Sequence, residues 1–153
     1  MRSEIFNTTF ENMLRVLVLL NTISTPMNKD RIAALDFICI YGKNCKVLDK
    51  NLHGDNEFGF AEFAGKREKI TEAIKLSVKN NFVNVIQDRS GFLYSINDRG
   101  RAVVDGVQSP YSKAYTVGAK IVNRRFSTYT DQEILKFISD KASKSRRAGD
   151  AEI

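Results

Sequence analysis

A chain of 153 residues, 42% of them hydrophobic, is long enough for one packed domain with its own core and too short for two full ones. A formal net charge of +6 fits an acidic partner, whether nucleic acid or protein. Two cysteines and one histidine exclude a disulfide framework and a zinc site, and a reducing, cytoplasmic setting suits them.

The spacing Thr8-Thr9-Phe10-Glu11 predicts a capping box that opens a first helix running to Ile23. Phe10, Met13, Leu14, Leu17 and Asn21 form one stripe, while Val16, Val18, Leu19 and Leu20 fill the remaining sides. Such a helix is either the central pillar of the domain or lends one side to another subunit, and Val16, Leu19 and Leu20 are the candidates for that side. Glu11, Asn12, Arg15 and Asn21 interrupt the apolar run, and no small-residue cleavage site follows it. Neither a signal peptide nor a membrane span is expected.

Ser24-Thr25-Pro26 ends that helix, and Asn28 can cap a second one over residues 29–41, which Gly42 closes. Asp36 interrupts its apolar face. A single acid without a matching histidine or second carboxylate has no acid–base chemistry to perform, so a partly exposed or backbone-bonded carboxylate is expected there. Residues 43–64 lose helical periodicity and carry Phe58, Phe60 and Phe63 among glycines, asparagines and aspartates. The stretch reads as a long loop whose aromatics anchor a partner or dock onto their own domain.

A basic amphipathic helix is predicted over residues 66–82, with Ile70, Ala73, Ile74, Ser77, Val78 and Phe82 on one face. Two strands follow, at residues 82–86 and 92–96, joined by the turn Asp88-Arg89-Ser90-Gly91. Asn97-Asp98-Arg99-Gly100-Arg101 then offers a side-chain oxygen to cap a new helix that begins within residues 98–105. Residues 111–126 form a further helix, and Thr130-Asp131-Gln132-Glu133 opens a last one that frays into a basic tail. The fold class expected is mainly α with a small β-wing: a winged helix-turn-helix-like domain with additional C-terminal helices over residues 1–140, and a basic flexible tail over residues 141–153. Leu14, Leu17, Leu35, Ile38, Ile74, Val78, Ile86, Leu93 and Ile96 are its expected core.

Phosphate loop, nucleophile elbow and zinc-protease helix are all missing from the sequence. No catalytic residue, cofactor site or metal ligand is assigned, and the lone His53 is expected to pack within its loop. The cations Lys66, Lys69, Lys75, Lys79, Arg89, Arg99 and Arg101 are the candidates for phosphate contact. Glu68 and Glu72 oppose them on the same helix, and side chains suited to reading base edges are scarce. Any DNA binding is therefore expected to be non-specific.

The order of these features resembles the middle components of three-component bacterial defence systems, with Lamassu systems as the best-known relatives. The resemblance spans residues 6–126: the apolar opening helix, Asp30-Arg31-Ile32-Ala33-Ala34-Leu35-Asp36, Leu52-His53, the basic helix, Gly91-Phe92-Leu93-Tyr94, Asp98-Arg99-Gly100 and Tyr111-Ser112-Lys113-Ala114-Tyr115. It implies a non-catalytic adaptor joining an SMC/Rad50-like ATPase to an effector protein of the same anti-phage or anti-plasmid system. A winged-helix transcriptional regulator is the alternative that the residues themselves leave open.

Overall fold

The computed structural model describes residues 8–54 and 62–151, with side chains described through Lys144. Among the described residues, six helices and one hairpin follow in order: α1 (Thr9–Ile23), α2 (Lys29–Ile40), α3 (Phe63–Lys79), β1 (Val83–Asp88), β2 (Gly91–Ile96), α4 (Asp98–Gly106), α5 (Pro110–Phe126) and α6 (Asp131–Ala151). The fold is mainly helical with a two-stranded antiparallel sheet.

Local chemistry sets most helix starts. Thr8, Asn28, Asn97, Ser109 and Thr130 each place a side-chain oxygen on the backbone N–H three residues on. At Thr130 the bond is reciprocal, since the Thr130 N–H donates to Glu133 Oε1 at 3.0 Å. The basic helix lies three residues earlier than its pattern suggests, because Asn81 takes the left-handed conformation with φ of 59°. The Phe82 N–H then donates to the Ser77 carbonyl and the Asn81 N–H to the Val78 carbonyl, which closes the helix end in a Schellman arrangement. At the C-terminus the helix expected to fray at residue 141 continues to Ala151.

α1 and α2 are the two central helices. α3 packs on both, α5 packs on both from another side, and α6 packs on α2. Val16 and Leu19 have no exposed surface and Leu20 is 2% exposed, which corrects the expectation that α1 leaves an apolar side uncovered. α3, α4 and α5 all pack against α1 and between them cover its sides. Leu17, Leu35, Ile38, Ile74 and Ile96 are buried as expected. Leu14 and Leu93 are only half-buried, and Val78 and Ile86 are exposed.

Strand alternation accounts for the hairpin residues among these. The register pairs Val83 with Ile96, Val85 with Tyr94 and Gln87 with Phe92, so these six side chains share one face and Ile86 and Leu93 share the other. Val83 and Ile96, at the base, reach the core. A third segment joins the ribbon: Met27, between α1 and α2, exchanges both backbone hydrogen bonds with Tyr94, at 3.1 and 2.8 Å. One residue of pairing left no pattern in the sequence to read.

Gly100 lets α4 sit against the base of this ribbon. A Cβ there would run into the Phe82 carbonyl oxygen and approach Ile96 Cγ1 at 2.7 Å. Gly100→Ala should therefore destabilise the chain by about 1 to 3 kcal/mol as an overpacking change, although alanine is the better helix former. Equal or raised urea midpoints for the variant would show that α4 is free to move away.

After α2 the chain turns back on itself. The Gly42 carbonyl accepts from the Val47 and Leu48 N–H groups, and the Leu52 N–H donates to the Ile40 carbonyl at 3.0 Å. Cys39 and Cys45 are free thiols, both buried, one within α2 and one in these turns. Burial pushes the Cys39 thiol well above its ordinary range and the Cys45 thiol up to about 12.

Candidate interaction surface

The seven cations expected to meet phosphate do not form one face. Lys75 and Lys79 lie one turn apart on the outward side of α3, with Lys75 3.4 Å from Glu72. Lys69 is exposed on the same helix. Lys66 points towards the domain, half-buried, with its ammonium 5.9 Å from the centre of the Tyr41 ring, and burial lowers its pKa. Its place on the core side of α3 removes it from the Lys75 and Lys79 face. Arg89 occupies the hairpin turn, Arg99 stacks over Phe82 at 5.6 Å, and Arg101 pairs with Asp98 at 3.0 Å.

Of the three loop aromatics, Phe58 and Phe60 lie outside the described residues. Phe63 begins α3 instead of belonging to the loop. It packs 4.9 Å from Phe37 with the Arg67 guanidinium 5.6 Å from its ring centre, so it serves this domain's own core edge. Val16, Leu19 and Leu20, being buried, offer no surface to a partner in this fold.

Exposed apolar surface lies between α3 and the hairpin, and it includes Val78, which the sequence pattern assigns to the core. Val78 is 39%, Val85 44% and Phe92 54% exposed. Together with Ile74, Lys75, Lys79 and Tyr94 they line an open groove of about 340 Å³ between the second half of α3 and one face of the hairpin. Its floor continues the buried row of Val83 and Ile96 outwards through Val85, Tyr94 and Phe92. Among the described residues its rim carries two ammonium groups and no carboxylate. A second exposed apolar pair, Val117 and Ile121, lies one turn apart on α5. Strand alternation and the helix period could have grouped the groove residues from sequence; which end of that row stays uncovered depends on how far the bundle reaches.

Inside the bundle lies a polar network that the sequence did not reveal. Asp36 is 2% exposed, which corrects the expectation of a partly exposed or backbone-bonded carboxylate. Arg15 Nε donates to its Oδ1 at 3.1 Å and Arg15 Nη2 to its Oδ2 at 3.3 Å, while the Tyr115 hydroxyl donates to Oδ1 at 2.7 Å. Burial works against the Arg15 charge, but the adjoining carboxylate prevails and raises its pKa. Burial, with the Asp36 charge, likewise holds the Tyr115 hydroxyl protonated. Next to this group Tyr111 is pushed up to about 12 by burial, and its hydroxyl is 2.6 Å from His53 Nε2. The network thus runs from α2 through α1 and α5 to the turns after α2.

His53 makes part of this testable by pH. Burial, reinforced by the Arg15 charge, lowers its pKa from 6.5 to about 4. Between those values the folded chain binds fewer protons than the unfolded one. The stabilisation is complete above pH 6.5 and declines as pH falls towards 4. Because the chain has one histidine, its imidazole resonances report directly. They should titrate near 4 in the folded protein, and a midpoint near the ordinary histidine value would show that the ring is not held against Tyr111.

Among the described residues, no three His, Cys, Asp or Glu side chains gather as a metal site requires, and no helix is long and apolar enough to cross a membrane. Residues 5–148 match the family model described as ABC-three component (ABC-3C) system Middle Component 2. No curated protein and no solved structure matches the chain.

Proposed function

The chain belongs to the ABC-three component system middle component 2 family, and from that premise we propose that it is a non-catalytic adaptor subunit holding an SMC/Rad50-like ATPase and an effector protein together in a Lamassu-type anti-phage or anti-plasmid complex. The family match across residues 5–148 carries this reading. The architecture supports it. The order α1, Met27 bridge, α2, α3, hairpin supports reading the chain as a winged-helix-like unit, a kind of module used for DNA or for protein partners.

Three features favour the protein partner over a regulator that reads an operator. Glu68 and Glu72 lie on the exposed side of α3 beside its lysines, Lys66 faces the domain, and valine and phenylalanine side chains occupy the surface between helix and hairpin. DNA contact through Lys69, Lys75, Lys79, Arg89, Arg99 and Arg101 is in this reading weak, indifferent to sequence and steeply dependent on salt.

Co-expression with the ATPase and effector of the same system tests the proposal. Size-exclusion chromatography should give one complex that contains all three chains, and the purified chain alone should neither hydrolyse ATP nor cut plasmid DNA with magnesium. An ATPase and effector that assemble equally well without this chain would overturn the adaptor reading.

A further inference from the structure

We propose that the groove between α3 and the hairpin seats a short acidic, amphipathic segment of a protein partner, with two or three apolar side chains on the Val78, Val85 and Phe92 floor and carboxylates on Lys75 and Lys79. The inference rests on the adaptor reading and specifies where one of its contacts is made.

The first observation is the floor. Val85 and Phe92 extend an apolar strip whose inner end, Val83 and Ile96, is buried. Among the described residues, no element covers the outer end. Its volume of about 340 Å³ is at the small end of ligand-sized clefts and matches a few side chains better than a folded surface. The second observation is the rim. Lys75 and Lys79 line the groove and, among the described residues, no acid does. Among the described residues Lys75 pairs with the exposed Glu72, one turn away on its own helix, at 3.4 Å, a pair that a better-placed carboxylate can displace at little cost.

Charge chooses among the occupants. A nucleic acid backbone would satisfy the lysines and gain nothing from Val78, Val85 and Phe92. A second copy of this chain would bring its other exposed apolar pair, Val117 and Ile121, but that pair shares its side of α5 with Lys113 and Lys120. Like charges would then meet. An apolar segment flanked by carboxylates satisfies both floor and rim.

The test uses the full-length chain titrated into its co-expressed ATPase and effector. Phe92→Ser and the double variant Lys75→Glu/Lys79→Glu should each weaken assembly at least about tenfold, as expected for a central aromatic anchor and for reversed complementary charges. A Lys113→Glu/Lys120→Glu control should stay within about twofold of wild type. Phe92 is over half exposed, so its variant should melt with the wild type; Val85→Lys provides a second probe of the floor. Wild-type assembly that both groove variants retain within about twofold overturns the inference while leaving the adaptor standing. So does weakened binding to a 30-base-pair duplex with assembly unchanged, which would make the groove a nucleic-acid surface. Absence of any wild-type complex removes the adaptor reading itself, and this inference with it.

Discussion

Asp36→Ala should lower the stability of the folded chain by about 3 to 5 kcal/mol, the range for breaking one partner out of a buried ion pair. The loss is larger than the pair's net worth. Arg15 is 5% exposed and, with its carboxylate gone, keeps its charge in a site it cannot leave without opening the contact between α1 and α2. The Tyr115 hydroxyl loses its acceptor at the same time. A variant that removes the whole group, Arg15→Met/Asp36→Leu/Tyr115→Phe, should recover most of the loss, because well-packed apolar side chains need no counter-charge. Urea denaturation of the two variants decides the matter. A single-variant loss below about 1 kcal/mol would mean that water reaches Asp36.

Phe126→Ala should be comparably damaging, about 3 to 5 kcal/mol, and its effect should concentrate at one corner. Phe126 closes α5 with no exposed surface, and its ring meets Tyr129 at 4.9 Å and Phe137 at 5.0 Å, both edge-on. The same corner is held from α2. Arg31 Nη2 donates to the Phe126 carbonyl at 3.1 Å, and Nη1 donates to the Tyr129 carbonyl at 2.9 Å and to Asp131 at 3.0 Å. Without the ring, Tyr129 and Phe137 lose a packing partner, and the turn is left to the polar contacts of Arg31 and Asn28. Amide exchange should therefore accelerate across α6 more than across α1. Uniform acceleration throughout the chain would instead place Phe126 in a single cooperative core with α6.

What could be read in advance follows the range of the forces involved. Thr8, Asn28 and Thr130 announce helix starts because each cap bonds within three residues. The hairpin is legible for the same reason, its turn being held by Asp88 Oδ1 accepting from the Ser90 N–H at 2.7 Å. Asn81 was an equally local stop signal, but asparagine at that position announces a helix end less clearly than glycine. Arg15 and Asp36 stand 21 residues apart, and nothing short of the packing of α1 on α2 brings them together. The site residues failed in an instructive direction. Val16, Leu19 and Leu20 looked too apolar for a small domain to cover, yet α3, α4 and α5 cover them. Val78 shares the periodic face of Ile74, and its exposure depends on where the bundle ends, while Ile86 falls on the strand face opposite Val83 and Ile96.

The two sulfhydryls of this chain make it its own clock. Each is sealed in a different element, Cys39 within α2 and Cys45 in the turns that follow it. A neutral, sealed thiol exchanges with a disulfide reagent only in the moments when its surroundings part. The slower reaction then times the parting of the whole bundle, and the faster one times the lifting of residues 41–54 alone. An unlabelled, unmutated molecule would thus keep both records at once, free or within an assembly.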